Sequence, residues 1–252
     1  MEVHHHSHTS SVPAGKAGKK WTHYFWEFLM LFLAVFCGFL AEFKLEQTIE
    51  RHREKEFILS MIEDAATDTA NIHLVITQNT ERIKNADSLA IVTLNYKGTQ
   101  AENNRIYSAA RKTMYYPELV HPVDRTLFQL KNSGGMRLIQ SRRSVESIIA
   151  YDNSSKNVVN QQTYYEHYLT ALTSACNRLM DFSVLLNYKR QSTIYQGKNV
   201  RIVNPSPEKL LEMGNMSMVF QGVMMQYIVR LKEMEKKAIE LIYTLKKEYH
   251  IK

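Results

Sequence analysis

The stretch YFWEFLMLFLAVFCGFLAEF, residues 24–43, decides the architecture of this 252-residue chain. Residues 28–41 carry no charge, and Glu27 and Glu42 stand near the two ends of the apolar run. Twenty helical residues cover about 30 Å, the thickness of the hydrocarbon core of a bilayer. Aromatic rings favour the membrane interface, and they crowd the start of the run. The sequence therefore predicts a transmembrane anchor at residues 21–43, and the residues that mark it are Trp21, Tyr24, Trp26, Phe28, Leu33, Phe36 and Leu40.

Two other interpretations of the apolar run remain open. A cleaved signal peptide has a similar basic start, but it needs small residues before the cut. Cleavage after Ala41 would leave bulky Phe39 near the cut, and cleavage before Cys37 would leave Phe36 beside it. A buried helix of a soluble core is the third interpretation, and it fits poorly with apolarity on nearly every side beside a polar tail. We favour the uncleaved anchor.

The charges beside the run bear on its orientation. Three basic residues precede it and four follow it closely: Lys16, Lys19 and Lys20, then Lys44, Arg51, Arg53 and Lys55. Because Lys19 and Lys20 lie nearest to the apolar residues, the positive-inside rule predicts a cytoplasmic N-terminus and a large domain outside.

The segments on either side of the anchor are polar. Residues 1–20 are rich in histidine and have no apolar period, so we expect a disordered, solvated tail; an expression tag or a metal-binding tract are the alternatives. Residues 44–56 are highly charged and predict a solvated helical stalk. Its glutamates recur every four residues on one helical face, which is also compatible with docking a basic partner. They are Glu46, Glu50 and Glu54, and Glu42 at the end of the anchor continues the same series.

Residues 57–252 alternate amphipathic helical segments with turns. Helical periodicity predicts five helical segments. They run from residue 57 toward Gly98, over 102–116, from Pro122 to about residue 131, over about 141–188, and over 208–249. Residues 132–135, Asn-Ser-Gly-Gly, predict a helix end or tight turn, and residues 200–203 a short extended piece. The predicted fold class is all-α: one N-terminal transmembrane helix continuing into a helical stalk and an antiparallel helical bundle at 57–252.

Composition and motifs exclude several functional classes. Two cysteines cannot form a disulfide framework, and a mean hydropathy of −0.33 excludes a polytopic membrane protein. We find no catalytic motif, phosphate loop or dinucleotide fingerprint, and we predict no catalytic, metal-binding or cofactor-binding residue. Glu63, Asp64 and Asp68 share a helical face, but a metal cage needs more oxygen ligands, so we expect solvated carboxylates. Cys176 is expected to be a small core residue.

Two residue clusters suggest binding. Tyrosines and basic residues share the middle of the chain, and Arg137, Arg142 and Arg143 are candidates for binding an anion. The alternative, which we favour, is tyrosine at the rim of a bundle core, with its ring buried and its hydroxyl in water. Methionines in residues 213–234 can form a pliable binding groove, but their spacing favours core packing. No nucleic-acid-binding motif is present, so no nucleic-acid partner is expected.

Two places in the chain look familiar. The first is the His-rich start followed by YFWEFLM at 24–30, FLAV at 32–35 and GFLAE at 38–42; the second is LKNSG at 130–134 followed by RLI at 137–139 and a helix through Ala150 and Tyr151. Together they resemble a group of uncharacterised single-span proteins of Bacteroidota-type bacteria. The resemblance implies an inner-membrane anchor with a helical domain, and it implies no activity.

The sequence thus predicts a non-enzymatic, membrane-anchored helical interaction or sensory domain. Its expected partners are the lipid bilayer and a protein, which can be a second copy of the chain. The alternative is a module that binds a small ligand or an anionic polymer through the Tyr/Arg-rich face. The expected location is the bacterial inner membrane, with the C-terminal domain in the periplasm.

Overall fold

The computed structural model describes residues 18–115, 119–185 and 200–251, and the fold is all-α. Its α-helices are α1 (Gly18–Leu94), α2 (Gln100–Met114), α3 (Arg125–Asn132), α4 (Arg142–Asn177) and α5 (Pro207–Glu248). Two short 3₁₀ helices cover Gly135–Leu138 and Phe182–Leu185. The predicted His-rich tail falls almost wholly outside the described residues.

The chain divides into two units, Met1–His52 and Arg53–Lys252, and α1 contributes to both. In the first unit the described side chains of α1 are almost all exposed. The second unit contains the helical bundle and its apolar core.

Three helices of the second unit bury one face each with a period of 3.5 residues. Twelve buried positions of α1 after residue 53 alternate steps of four and three: Glu54, Ile58, Met61, Ala65, Asp68, Ile72, Val75, Asn79, Arg82, Ala86, Leu89 and Thr93; Asp64, Ala90 and Val92 beside them are buried too. Ten buried positions of α5 do the same, with Gly214 buried beside them: Met213, Ser217, Phe220, Met224, Tyr227, Leu231, Met234, Ala238, Leu241 and Leu245. In α4 the same steps link Ser144, Ile148 and Tyr151. This period is typical of helices that pack side by side at a shallow left-handed angle.

Contacts between buried side chains give the direction of each helix. Asp68 and Asn79 of α1 meet Tyr151 and Tyr165 of α4 in the same order, so this part of α1 runs parallel to α4. At one end of α5, Ser217 Oγ donates a hydrogen bond to the carbonyl oxygen of Ala86, 2.8 Å away. At the other end, the Tyr249 hydroxyl that follows α5 donates to Glu54. Helix α5 is therefore antiparallel to its two long neighbours.

Residues 95–141, the return segment, connect the end of α1 to the start of α4. Their described parts contain α2, α3 and a 3₁₀ helix. These parts run back along α1, because Tyr115, Val123 and Gln140 bond in turn to Arg82, Asp68 and Glu54. Gly134, which precedes the 3₁₀ helix, has a φ of +70°, a conformation that glycine adopts without strain. The predicted turn at 132–135 is confirmed.

Helix α4 differs most from the sequence prediction, because it ends at Asn177 rather than near residue 188. Two residues later the chain pairs with the segment before α5: Met180 and Ile202 form an antiparallel bridge, and Val203 N donates to Leu179 O at 2.7 Å. This pairing with distant residues ends the helix, and it confirms an extended piece near Ile202. The rest of the predicted helical end, residues 186–188, lies outside the described residues.

Candidate functional site

The predicted anchor residues are all exposed on α1. Trp21, Tyr24, Trp26, Phe28, Leu33, Phe36 and Leu40 are between 43% and 81% exposed. The Phe28, Phe32 and Phe36 rings stack in sequence, with centroids 6.2 Å and 5.9 Å apart. This helix is long and apolar enough to cross a membrane, and none of its most apolar window is buried. The finding argues against a core helix, and a signal sequence would give the same result.

Three carboxylates of α1 that we expected to be solvated are buried, whereas Glu63 is exposed as expected. Asp64 and Asp68 are 1% and 0% exposed, and Glu54, predicted to lie in the solvated stalk, is also buried. Asp64 accepts hydrogen bonds from Arg125 Nε at 2.6 Å and from Thr126 N at 3.2 Å. The expectation of solvated carboxylates is therefore wrong for Asp64 and Asp68, and that for Glu54 fails too.

These buried carboxylates accept hydrogen bonds from backbone N–H groups of the return segment. Asp68 accepts a bond from Val123 N at 3.0 Å, and Glu54 accepts one from Gln140 N at 2.8 Å. Because a non-helical segment cannot pair its own backbone groups, buried N–H donors there need partners from elsewhere. Glu54, Asp64 and Asp68, the carboxylate cluster, thus hold the return segment against α1. No group of three or more His, Cys, Asp or Glu suited to a metal ion occurs among the described residues.

Burial shifts the ionisation of this cluster. It raises the pKa of Asp68, the Tyr151 and Val123 hydrogen bonds oppose that rise, and the charge of Asp64 adds to it. Burial and the hydrogen bond to Asp68 both raise the pKa of the Tyr151 hydroxyl. Burial also raises the pKa of the Cys176 thiol to about 12, and its side chain is fully buried, so the prediction of a core cysteine is confirmed.

Four of the tyrosines have their rings buried in the bundle. Tyr107, Tyr151, Tyr165 and Tyr227 are at most 2% exposed. Their hydroxyls bond to protein groups: Tyr107 donates to Arg201 O at 2.9 Å, and Tyr227 accepts from Val120 N at 2.9 Å. The rings are buried as predicted, but the expectation that these hydroxyls lie in water is wrong.

The three candidate anion-binding arginines lie at the start of α4 and just before it. Arg142 Nε is 2.8 Å from Glu146 Oε1, and Arg143 Nη1 is 3.6 Å from Glu248 Oε1. Arg137 is exposed in the 3₁₀ helix. Because two of the three already have a carboxylate beside them, the local charge available to an anion is reduced. Their role in binding stays a prediction.

A shallow pocket lies between α3 and α4, with a volume of about 290 Å³. Leu127, Phe128 and Val159 supply its apolar wall. Asp152 pairs with Lys131 at 2.6 Å and with Lys156 at 2.8 Å. These lysines lower the pKa of Asp152 although partial burial opposes the shift. The pocket is at the lower end of the size of ligand sites, and its lysines share a carboxylate.

The outward face of α5 carries a regular row of exposed apolar side chains. It consists of six exposed residues, which we call the outer strip: Leu211, Asn215, Met218, Gly222, Met225 and Val229. Its four large apolar side chains are between 47% and 53% exposed. At 100° per residue, the strip lies on the side of α5 opposite the core positions. Residues 213–229 contain no charged side chain.

The sequence only partly predicted this surface. Core packing is confirmed for Met213, Met224 and Met234. It is wrong for Met218 and Met225, which are exposed, and Leu211, Val219 and Ile239 are exposed on the same helix. A helix that is apolar on two faces gives no sequence signal for which face is inside. The exposed second face is the signal for a contact site.

No protein-family model, curated protein or solved structure matches this chain.

Proposed function

We propose that this chain is a non-enzymatic, membrane-anchored interaction domain that binds a protein through the outer strip of α5. The observation that carries the proposal is the exposure of the uncharged outer strip, whose four large apolar side chains are about half exposed. Contiguous exposed apolar surface of this kind is typical of protein contact sites. The exposed apolar part of α1 supports the anchor.

The charges that border the strip support a partner of low polarity. Glu212 pairs with Arg178, and Arg230 Nη1 is 3.2 Å from Glu233 Oε2. Since these charges have partners within the chain, apolar contact supplies the binding energy at the strip. Burying the strip would remove apolar area from water at roughly 25 cal/mol per Å².

The proposed location is a bacterial inner membrane, with the N-terminus in the cytoplasm and the bundle in the periplasm. Lys19 and Lys20 before the apolar run support this orientation. Two C-terminal fusions test it: a reporter active only in the periplasm and one active only in the cytoplasm. Activity of the periplasmic reporter alone is the expected result, and the opposite pattern would reverse the orientation.

Site-specific photo-crosslinking tests the binding function. A benzophenone side chain replaces Met225 in the full-length chain, and intact cells are irradiated before the membranes are isolated. We expect a covalent adduct of higher mass from this position, and we expect Met218→Glu to abolish it because a carboxylate would be buried without a partner.

The matched control carries the benzophenone at Tyr164, which is 60% exposed on α4 and lies outside the strip. We expect no comparable adduct there. Benzophenone is also placed at Leu211 and at Met218, each in a separate variant. The proposed function is wrong if none of the three positions gives an adduct, or if Met218→Glu leaves the adduct from position 225 unchanged.

A further inference from the structure

We infer that the partner of the outer strip is a second copy of this chain, bound with the two α5 helices side by side and parallel. The inference rests on the proposed function, because it identifies the protein that the strip binds. Its evidence is the spacing of the strip, its lack of charge and an otherwise unexplained glycine.

The strip has the spacing of a coiled-coil seam. Its residues alternate steps of four and three, the same 3.5-residue period that the inner face of α5 uses to pack within the bundle. Two helices that pack with this period place mostly apolar residues at alternating a and d positions, and a single polar residue such as Asn at an a position is tolerated. Leu211, Met218 and Met225 occupy the d positions, and Asn215, Gly222 and Val229 the a positions. The outer strip can therefore pack as a second seam.

The chemistry of the strip matches that of its own copy. A two-fold axis parallel to the helices brings each strip residue close to the same residue of the other chain. A charged strip would repel itself in that arrangement, whereas this one has no charge. Asn215 at an a position can pair its amide with the amide of the second Asn215, a contact that fixes register in parallel helix pairs.

Gly222 supplies an independent observation. Helix α5 contains two glycines, and glycine inside a helix costs about 1 kcal/mol relative to alanine. Gly214 has a reason within the chain, since a Cβ there would lie 2.6 Å from the Leu94 side chain. A Cβ at Gly222 would meet nothing within 4 Å among the described residues. At the centre of a seam, a residue without a side chain allows a second helix backbone to come close.

The proposed anchor favours contact between copies. One membrane span places the bundles of all copies on the same side of the membrane. Restriction to the membrane also raises the effective concentration of one copy around another. Both effects favour self-association over capture of a soluble partner.

Cysteine crosslinking of the full-length chain in its native membranes tests the inference. Cys37 is first replaced by alanine because it is exposed on α1, whereas Cys176 is buried and can stay. Single cysteines are placed at Met218 and at Met225, and two copies with different affinity tags are co-expressed. After mild oxidation, we expect a product of twice the chain mass that carries both tags, in several-fold higher yield than from Tyr164→Cys.

A second substitution tests the role of the glycine. Gly222→Leu places a bulky side chain at the centre of the seam, so the two-tag product from Met225→Cys should fall several-fold. Position 222 is exposed and a Cβ there meets nothing within 4 Å among the described residues, so the helical circular dichroism of this variant should equal that of the parent.

The outcomes separate the inference from the proposed function. A strip cysteine that links only to a protein of another mass overturns the homodimer and leaves the binding function in place. Equal yields from the strip and from Tyr164→Cys also overturn the homodimer. The absence of any product at the strip, together with the absence of photo-adducts, overturns both.

Discussion

The hydroxyl of Tyr151 on α4 donates a hydrogen bond to the carboxylate of Asp68 on α1, and the backbone N–H of Val123 donates to the same carboxylate. One fully buried group therefore joins two long helices and the return segment. Apolar side chains pack the bundle, but they cannot satisfy the backbone of a segment that is not helical. This requirement explains why a carboxylate stands at a core position of α1.

Asp68→Ala should destabilise the bundle more than any exposed acidic substitution on α1. The change leaves the Tyr151 hydroxyl and the Val123 N–H without this acceptor, at a cost of about 1–3 kcal/mol for each buried donor left unsatisfied. Urea unfolding of the full-length chain in detergent, followed by circular dichroism, measures the loss. The control is Glu81→Ala, whose exposed pair with Lys84 contributes at most about 1 kcal/mol. Equal losses in the two variants would contradict this role of Asp68.

The raised pKa of Asp68 leads us to predict that its contribution to stability depends on pH. Because burial raises the pKa of Asp68 in the folded chain, the folded state holds this proton more tightly than the unfolded state. Its stabilising contribution is complete below the unfolded pKa, about 3.9, and declines as the pH rises through the folded pKa. The difference in unfolding free energy between the parent and Asp68→Asn should therefore fall as the pH rises above about 4. Urea unfolding at several pH values measures it, and a difference that grows with pH would show that the folded pKa is lowered.

The sequence predicted the helices well and the interior less well, for a physical reason. The period of apolar residues marks a helix whichever face it buries, so the bounds of α5 were predicted to within one residue of Pro207–Glu248. A carboxylate at a core position looks like a solvated one, because its burial depends on the distant N–H that it accepts. The available signal is register: Glu54 and Asp68 fall on the same steps of four and three as Ile58 and Met61.

The outer strip was missed for a related reason. The sequence shows that α5 is apolar on a broad arc, but it does not show how many neighbours the helix has. Only the positions of α1 and α4 decide that Met224 is buried while the adjacent Met225 is exposed. The arginine at 143 illustrates the same limit, since the carboxylate near it comes from Glu248, far along the sequence near the end of α5.

Gly214→Ala should lower stability relative to Gly222→Ala on the same helix. Both changes give the same gain in helix propensity, about 1 kcal/mol, so their difference reports packing. A Cβ at position 214 would lie 2.6 Å from Leu94 Cδ2, and overpacking of this kind costs about 1–3 kcal/mol. The comparison uses urea unfolding at a chain concentration where size-exclusion chromatography shows monomers. Equal stability of the two variants would mean that Leu94 moves aside without cost.

The last prediction concerns the membrane anchor at residues 21–43, and the chain offers a closely matched control for it. Leu33→Lys combined with Phe36→Lys places two ammonium groups in the middle of the apolar run, each costing about 2.5–3.5 kcal/mol at the centre of a membrane helix. We expect this double variant to move from the carbonate-resistant membrane fraction to the soluble fraction. Leu45→Lys combined with Ile49→Lys changes two similarly exposed residues of α1 beyond the predicted span, and this variant should stay in the membrane. The intact mass of the parent chain completes the test: a chain that retains residues 1–41 is anchored, whereas one that begins after Ala41 has lost a signal peptide. Retention of the first variant in the membrane fraction would show that residues 21–43 do not hold the chain there.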